Sequence, residues 1–571
     1  MSETKPWLKF YGDKIPHSIQ YPRVSLYERV MQTVKQYPDS IAFDFMGTTR
    51  TYRQLGDEID RFAAALAALG VKKGDVMTIS MPTSPNGIIP IYALNKIGAV
   101  ASMIHPLSPP PQIKEYLNIS KSKYALTLDI FYGEFNKILD ETKVEKLIIA
   151  KATDYLSSPL LRFGYWLKKG RTIPKINDSR VSWYLSLLNG NYPSVPKADV
   201  KPDDLAIILY SGGTTGTPKG IMLSNYNMIA EGMMVTAMGN LNHTQSVLAI
   251  LPIFHGFGLG VCVNAAFMVG GKTILVPLFT PESVAKLIKS KKPNFIVGVP
   301  TLFEALASNP DFNKTDLSCL QAVYSGADTL PRKVKEKFEA VVKKNGGNVS
   351  LLEGYGLTEA VTAIMAIPPG YYKEGSIGIP FPDMLAKICK KGTTEEAPIG
   401  EEGEICVSGP AVMLGYLDQP GETEKVLKKH ADGRIWLHTG DIGTMDAEGW
   451  FFFKLREKRM LKVSGVNVYP NIVEEALRKH PDVKDVCVIG VPDKKQITKV
   501  KAFVILKDPS KASEQMKESI MAFGLEHLLK WESPREIEFR EDFPKTLVGK
   551  VHWKKLEEEE IAKLSHSEQR D

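Results

Sequence analysis

Short apolar runs of strand type alternate with helical patterns along this chain, and that alternation limits the folds open to it. Residues 205–210, 295–299 and 320–324 are apolar runs that end in loops containing glycine or proline. Residues 62–69 and 331–344 have the apolar spacing of helices. This alternation predicts an α/β fold with a parallel or mixed sheet, whose ligands bind at the carboxyl ends of the strands.

The pattern changes towards the C-terminal end. The turn at 446–449 lies between apolar runs, as in a hairpin, and the charged stretch 454–462 has the composition of a linker. Five predicted elements follow: a helix over 472–479, strands over 485–491 and 500–506, a helix over 513–529 and a strand near Ile537. A unit of about a hundred residues is a normal size for a small domain. We therefore predict two domains, residues 1–456 and 457–571.

Composition excludes several classes of protein. The net charge of +7, from 72 basic and 65 acidic residues, is small for 571 residues and does not predict nucleic-acid binding. The five cysteines are dispersed and odd in number, which argues against a disulfide framework or a zinc cluster and fits a reducing compartment. We find neither a signal peptide nor a run of about 18 apolar residues. We expect a cytoplasmic protein, at most peripheral on a membrane.

The strongest functional signal is the segment 210–220, which reads Tyr-Ser-Gly-Gly-Thr-Thr-Gly-Thr-Pro-Lys-Gly after an apolar strand. Glycines expose backbone N–H groups, hydroxyls add donors and a lysine adds charge, which suits a polyphosphate. It is not a Walker A loop, which requires Gly-Lys-Ser/Thr. A flexible surface turn is the alternative, but a turn rarely needs so many glycines and hydroxyls. The predicted nucleotide contacts are Ser211, Gly212, Gly213, Thr214, Thr215, Gly216, Thr217 and Lys219.

This loop resembles the signature of the adenylate-forming superfamily, which includes acyl-CoA synthetases, adenylation domains of peptide synthetases and beetle luciferases. Further segments resemble its other motifs in the same order up to residue 550. The resemblance implies a large N-terminal adenylating domain of layered sheets and helices with a small β-barrel-like part, and a small mobile α+β C-terminal domain. It also implies activation of a carboxylic acid by ATP and Mg²⁺ to an acyl-AMP, which a thiol then attacks.

Residues 352–359, Leu-Glu-Gly-Tyr-Gly-Leu-Thr-Glu, resemble the adenine and metal motif. Tyr355 can stack on a base, Thr358 offers a hydroxyl to the α-phosphate, and Glu359 offers a carboxylate to Mg²⁺. A helix N-terminus capped by Thr358 is the alternative. By resemblance, the adenine is also surrounded by Glu353, Gly354, Gly356, Gly326 and Ala327.

Two residues resemble the ribose contacts of the family. Asp441 lies in a His-Thr-Gly-Asp motif, and Arg456 lies just before the predicted hinge. A turn aspartate and a solvated charged linker are the alternatives. The chain departs from the family at the pivot position, because Arg459 stands where an aspartate or a lysine is usual.

The C-terminal motif Pro-Lys-Thr-Leu-Val-Gly-Lys at 544–550 resembles the segment that carries the family's catalytic lysine, here Lys550. A solvated lysine is the alternative, but the spacing favours function. The resemblance further implies that Lys462, Ser464 and Gly465 contact coenzyme A after the small domain has rotated.

Residues 251–258 resemble the segment that gates the acyl pocket, with His255 as the gate and a catalytic residue. No aspartate lies between 251 and 260 to hold an amine, and Gly354-Tyr355-Gly356 leaves the pocket open. The predicted pocket residues are His255, Phe254, Val299, Gly326, Ala327 and Ala363.

This pocket favours a medium- or long-chain fatty acid, with an aryl acid as the second choice. The expected acceptor is coenzyme A, because the chain ends too soon after Lys550 for a carrier domain. An acyl-AMP ligase that loads a separate acyl-carrier protein and a non-catalytic nucleotide- or lipid-binding relative are the alternatives. The oligomeric state is open, with a homodimer among the options.

Residues 155–171 mix bulky apolar and basic residues over a few helical turns. One interpretation is a contact with a membrane surface near a lipid substrate. We favour the other, a helix packed on the body of the protein with a basic outer face, because Gly164 weakens a regular helix.

Overall fold

The computed structural model describes residues 5–168, 173, 175–211, 218–456, 459, 461–463, 466–493, 497–546 and 550–568. Its helices are α1 Leu26–Gln36, α2 Tyr52–Ala68, α3 Pro85–Lys96, α4 Pro110–Ile119, α5 Tyr132–Asn136, α6 Pro159–Lys168, α7 Tyr184–Asn189, α8 Asn225–Gly239, α9 Ala265–Val269, α10 Pro281–Lys291, α11 Pro300–Ser308, α12 Arg332–Lys344, α13 Pro420–Val426, α14 Pro470–Leu477, α15 Glu514–His527 and α16 Trp553–Glu568.

The strands of the first half are β1 Ile41–Phe45, β2 Thr48–Thr51, β3 Val76–Ser80, β4 Val100–Met103, β5 Tyr124–Leu128, β6 Lys146–Ala150, β7 Val181–Trp183, β8 Leu205–Ser211, β9 Lys219–Ser224, β10 Ser246–Ala249, β11 Lys272–Leu275, β12 Phe295–Gly298 and β13 Ala322–Ser325. The later strands are β14 Leu351–Gly356, β15 Ala363–Ala366, β16 Ile379–Pro380, β17 Leu385–Cys389, β18 Gly403–Ser408, β19 Gly415–Tyr416, β20 Leu427–Lys429, β21 Ile435–Met445, β22 Phe451–Arg456, β23 Leu461–Val463, β24 Val466–Val468, β25 Val483–Asp493, β26 Ile497–Leu506 and β27 Glu536–Phe539.

Two large mixed sheets form the body of the protein. The nine-stranded sheet has the order β16-β15-β14-β13-β12-β10-β11-β1-β2, and the eight-stranded sheet has the order β19-β9-β8-β4-β3-β5-β6-β7. Helices pack between and around them; α2 and α8 each begin at a capping box, made by Thr51 with Gln54 and by Ser224 with Asn227. One large apolar cluster joins residues from both sheets. The predicted α/β fold is confirmed.

A smaller antiparallel sheet follows the body. Its strands run β17-β18-β21-β20, and β22 adds to β21. The barrel-like part implied by the resemblance stays a prediction. The hairpin predicted at 446–449 is confirmed, since β21 and β22 pair antiparallel on either side of it.

The last hundred residues form a unit with its own core. Three strands, in the order β25-β26-β27, pack against α14, α15 and α16. The two apolar clusters of this unit contain only residues from Leu461 onwards. The two helices and three strands predicted here are confirmed, whereas the hairpin β23–β24 and helix α16 were not predicted.

The extent predicted for the linker is wrong. Residues 454–462 were expected to connect the domains, but β22 continues to Arg456 and β23 begins at Leu461. Strand pairing explains the difference, because hydrogen bonds to β21 stabilise an extended backbone even where the side chains are charged.

The interpretation favoured for residues 155–171 is also wrong. The helix forms as α6, but its outer face is apolar and not basic: Leu160, Phe163 and Trp166 are exposed. Arg162 donates a hydrogen bond to the carbonyl of Leu156, whereas the side chain of Lys168 and residues 169–171 lie outside the described part of the chain.

Candidate active site

Four neighbouring strands of the nine-stranded sheet end at the same edge. Strands β10, β12, β13 and β14 are parallel and adjacent. Their carboxyl ends therefore bring together four segments that are far apart in sequence. These carry, in strand order, His255, then Val299, then Gly326 with Ala327, and finally Thr358 with Glu359.

Glycines make the close approaches at this edge possible. A Cβ on Gly256 would lie 1.9 Å from the carbonyl oxygen of Val361, and one on Gly356 would lie 1.4 Å from that of Thr362. A Cβ on Gly326 would lie 3.1 Å from the carbonyl oxygen of Gly354. The segments after β10, β13 and β14 are thus packed backbone to backbone.

Two residues at this edge have positive φ without being glycine. Ala327 has φ 69° and Val361 has φ 63°. Such conformations cost about 1–3 kcal/mol and persist where the surrounding structure enforces them, often at functional sites. They lie directly after Gly326 and directly after the segment that contains Glu359.

The predicted ribose contacts meet at Asp441. The carboxylate of this fully buried residue accepts a hydrogen bond from the hydroxyl of Tyr355 at 2.7 Å. Its other oxygen, Oδ1, lies 3.1 Å from Nε of Arg456 without hydrogen-bond geometry. Burial raises the pKa of Asp441, and the charge of Arg456 opposes that rise. Oδ1 can therefore accept a hydrogen bond from a hydroxyl group.

The candidate metal ligand is held by a residue that the sequence did not reveal. Oε1 of Glu359 accepts a hydrogen bond from the hydroxyl of Tyr416 at 2.9 Å. The Tyr416 ring lies 4.8 Å from Nζ of Lys219, which also forms an ion pair of 2.5 Å with Glu422. A chain of contacts thus joins the predicted phosphate loop to the predicted metal ligand.

Most of that loop lies outside the described residues. Gly212 to Thr217 are not described, so their predicted contacts remain predictions. The flanks are described: Ser211 at the end of β8 pairs with Lys219 at the start of β9.

The predicted acyl gate lies in a partly buried turn. Nδ1 of His255 accepts the backbone N–H of Phe257 at 3.1 Å. Burial, reinforced by the charge of Lys550, lowers the pKa of His255 to about 4, so that its ring is neutral at pH 7. The ring of Phe254 lies 4.3 Å from that of His105, and a π-helical segment, Phe257–Asn264, follows.

A buried carboxyl group lies behind this segment and was not predicted. Glu231 on α8 is fully buried, and a Cβ on Gly260 would lie 2.8 Å from its Oε2. Burial raises the pKa of Glu231 to about 8. Glu231 is therefore mostly protonated at pH 7, and it behaves as a neutral polar group in the protein interior behind the predicted acyl gate.

Lys550 belongs to the small domain but interacts electrostatically with residues of this site. Its side chain is open to solvent, yet desolvation by the surrounding protein lowers its pKa. The charges of Asp328, Arg456 and Asp441 act on it, and its own charge acts on His255. Lys550 thus lies within electrostatic reach of the predicted nucleotide contacts Asp441 and Arg456, and of Asp328, which was not predicted.

The hinge region is anchored on both sides. Arg456 contacts Asp441 of the large sheet region, whereas Arg459 forms an ion pair with Glu474 of the small domain. Glu474 also accepts the backbone N–H of Val488 at 2.8 Å. Residues 457 and 458 between the two anchors lie outside the described residues.

The predicted coenzyme A contacts are mostly not described. Lys462 lies in β23, where it pairs with Asn467 of β24. Its side chain, Ser464 and Gly465 lie outside the described residues, so these contacts remain predictions.

A buried network shapes the turn that carries Asp441. Oε2 of Glu404 lies 2.7 Å from Nδ1 of His438, and its Oε1 accepts the backbone N–H of Gly440 at 2.9 Å. His430 contacts the other ring nitrogen of His438 at 3.0 Å. No local pattern could have revealed Glu404, which is 34 residues from His438; strand pairing brings them together.

Comparisons with known proteins match nearly the whole chain. The AMP-binding enzyme family matches residues 30–417, and the AMP-binding enzyme C-terminal domain matches residues 472–550. The long-chain-fatty-acid–CoA ligase of Bacillus subtilis (strain 168) is 35% identical over 567 residues, which are 98% of this chain and 99% of that protein. The ligase of the same description from Escherichia coli O157:H7 is 36% identical over 575 residues, with the same coverage.

A solved structure has the same fold. The anthranilate CoA ligase AuaEII, in complex with anthranoyl-AMP, superposes with a TM-score of 0.82 at 24% identity and covers 95% of this chain and 98% of its own. The superposition includes both the large N-terminal part and the small C-terminal part of the chain.

Proposed function

The chain belongs to the family of AMP-binding enzymes, and we propose that it is a fatty acid–CoA ligase. It activates a medium- or long-chain fatty acid with ATP to an acyl-AMP, releases pyrophosphate and transfers the acyl group to coenzyme A. One observation carries this proposal: Lys550 of the small domain lies within electrostatic reach of Asp441, Arg456 and His255 of the large domain. The similarity to two long-chain-fatty-acid–CoA ligases over 98% of the chain supports the choice of substrate.

We propose that residues 1–456 form the adenylating domain and residues 457–571 the mobile lid. Separate apolar cores support this division. So do the two anchors of the hinge, Arg456 on one side and Arg459 on the other. Rotation then requires changes only in the few residues between them.

The nucleotide binds along the edge formed by β13 and β14. Asp441 accepts hydrogen bonds from the ribose hydroxyls, for which its Oδ1 has capacity, and Arg456 contacts the ribose and phosphates. Adenine lies against Tyr355 between the segments that contain Gly326 and Gly354. The loop from Ser211 to Lys219 holds the outer phosphates. Lys219 would leave its ion pair with Glu422 and bind a phosphate instead.

In the first step, the fatty acid carboxylate attacks the α-phosphorus of ATP in line, and pyrophosphate leaves. Negative charge grows on the α-phosphoryl oxygens, where Lys550 and Thr358 supply preorganised donors; removing one such donor typically costs about 10²–10³ in rate. Glu359 suits Mg²⁺, because this ion takes one or two carboxylates plus phosphate oxygens, and bound there it would offset the charge of the phosphates.

In the second step, the lid rotates and Lys550 leaves the cleft. Lys462, Ser464 and Gly465 then contact coenzyme A, whose thiol attacks the acyl carbonyl and releases AMP. Arg459 is the pivot residue, and its ion pair with Glu474 makes it turn with the lid.

The acyl chain enters past His255 and lies among Phe254, Val299, Gly326, Ala327 and Ala363. The neutral ring of His255 suits this position, because it adds no charge to an apolar channel. The five free cysteines support a reducing compartment, and we place the enzyme in the cytoplasm.

The test is acid-dependent exchange of pyrophosphate into ATP with purified protein, across acids of increasing chain length and several aryl acids. We expect exchange with medium- and long-chain fatty acids, and consumption of free coenzyme A. Exchange without any use of free coenzyme A would indicate a carrier protein as acceptor. Protein that never exchanges pyrophosphate with any acid would contradict catalysis altogether.

A further inference from the structure

Helix α6 (Pro159–Lys168) presents an apolar face to solvent. Leu160 is 82% exposed, Phe163 is 57% exposed and Trp166 is 52% exposed, and Leu161 and Leu167 are exposed as well. Single exposed apolar residues are normal on a protein surface, but a contiguous patch of this kind marks an interaction site. The face is therefore unpartnered within the described chain.

The patch is a defined surface and not a loose loop. Leu160, Phe163 and Leu167 recur at the spacing of one helix face, and the rings of Phe163 and Trp166 stack with centroids 6.0 Å apart. The helix is anchored by the buried Tyr155 and Leu156 that precede it. The apolar side chains thus project from a fixed base.

Cations border this face. Arg162 is exposed, and its Nε donates a hydrogen bond of 2.6 Å to the carbonyl of Leu156. Beside the helix is a crevice of about 370 Å³ lined by Arg162, Lys151, Asp154 and Trp183 among others, with Nζ of Lys151 lying 4.8 Å from the Trp183 ring. Positive charge beside an apolar stripe complements anionic lipid headgroups.

Size distinguishes a bilayer from a protein partner. A helix of 10 residues is about 15 Å long, too short to span a bilayer but sufficient to lie in its surface. None of the helices in the described ranges is long and apolar enough to cross a membrane. A stable protein interface buries about 800 Å² on each partner, which one short helix face does not supply.

We propose that α6 is a membrane-docking surface, whose apolar face inserts into the interface of a bilayer that contains anionic lipids. Leu160, Phe163 and Trp166 enter the acyl boundary, while Arg162 and Lys151 contact phosphates. This contact does not depend on the reaction that the enzyme catalyses. Combined with the proposed function, it would hold the enzyme where its fatty acid substrate is dissolved.

The experiment is co-sedimentation of the full chain with vesicles of phosphatidylcholine alone and with added phosphatidylglycerol. We expect binding to the anionic vesicles that weakens as salt is raised. The variant Leu160→Ser/Phe163→Ser/Trp166→Ser should lose at least about tenfold in affinity, because the apolar side chains that enter the interface are replaced by polar ones.

The small domain offers a matched control. Leu525, Leu529 and Trp531 are also exposed large apolar residues, at 53%, 54% and 41%. Replacing all three by serine should leave vesicle binding unchanged. Both triple variants should retain pyrophosphate exchange with a water-soluble medium-chain fatty acid in the absence of vesicles, which shows that they are folded.

Three results would overturn the proposal. The wild-type chain could fail to bind either vesicle, or the α6 variant could bind as well as the wild type. As the third result, analytical ultracentrifugation could find that the wild type is a dimer and the α6 variant a monomer. The apolar face would then be an interface between two copies of the chain. Equal binding to neutral and anionic vesicles would refute the part assigned to Arg162 and Lys151.

Discussion

The charge state of Lys550, a residue of the small domain, depends on three residues of the large domain. Desolvation and the charge of Arg456 favour its neutral form, whereas Asp328 and Asp441 favour the ammonium form. The α-phosphate that we propose as its partner would add negative charge beside it. This balance makes the lysine sensitive to what occupies the cleft.

Replacing Lys550 by alanine should separate the two steps of the reaction. We expect acyl-AMP formation to fall at least about 10²–10³-fold, because a preorganised donor to the α-phosphate is lost. Thioester formation from supplied acyl-AMP should be unchanged, and the two rates can be measured separately. Lys545→Ala, at an exposed lysine of the same motif, is the control. Equal loss of both steps would argue against this role.

Glu231 makes stability depend on pH. Its pKa is raised by burial from 4.5 to about 8, so that only the folded state holds the proton between these values. Its contribution to stability is complete below pH 4.5 and is lost as the pH rises through 8. In this window the free energy of unfolding falls by up to about 1.4 kcal/mol per pH unit.

The variant Glu231→Gln should remove this dependence, because the amide does not ionise. We expect its melting temperature to decline less between pH 6 and pH 9 than that of the wild type, as followed by circular dichroism. Identical pH profiles for the two proteins would mean that Glu231 is already ionised in the folded state.

At the scale of elements, the edge of the nine-stranded sheet depends on packing between turns. The turn after β10 lies against the segment after β14, with Gly256 facing the carbonyl of Val361. The turn that carries the predicted acyl gate, His255, therefore touches the segment that carries the candidate metal ligand, Glu359. A change in either turn is transmitted to the other.

Gly256→Ala should disrupt both turns, because its Cβ would lie 1.9 Å from a backbone oxygen. We expect a destabilisation of about 1–3 kcal/mol and a marked loss of pyrophosphate exchange. Gly133→Ala is the matched control, since nothing lies within 4 Å of its added Cβ. A Gly256→Ala protein with normal melting temperature and exchange would show that the turns separate easily.

At the scale of the whole molecule, the lid contacts the body in the arrangement that brings Lys550 to the cleft. The hydroxyl of Tyr469, just before α14, donates a hydrogen bond of 2.8 Å to Oε1 of Glu402. Asn471 of α14 also bonds the carbonyl of Lys454 in β22. We infer that these bonds favour the first step over the second.

Tyr469→Phe should shift the lid away from this arrangement. A net hydrogen bond contributes about 0.5–1.5 kcal/mol, so acyl-AMP formation should slow by about two- to tenfold. Thioester formation from supplied acyl-AMP should not slow. Tyr371→Phe, at a tyrosine of the large domain whose ring packs against Phe10, serves as control. A larger effect on the second step would place the bond in the other arrangement.

The sequence by itself determined the fold class and the order of the elements. Apolar periodicity and turn residues are local properties, so strands such as β8 and helices such as α12 could be predicted from short windows. The order of the motifs predicted the family, which the comparisons confirm. The roles given to individual residues, such as Lys550 and Asp441, stay predictions.

Only the tertiary structure decided which side chains meet. The bond between Tyr416 and Glu359 and the pairing of Glu404 with His438 join residues on different strands. The apolar outer face of α6 likewise depends on what packs against it. Contacts of this kind arise from strand pairing and close packing across the chain, and no short stretch of sequence records them.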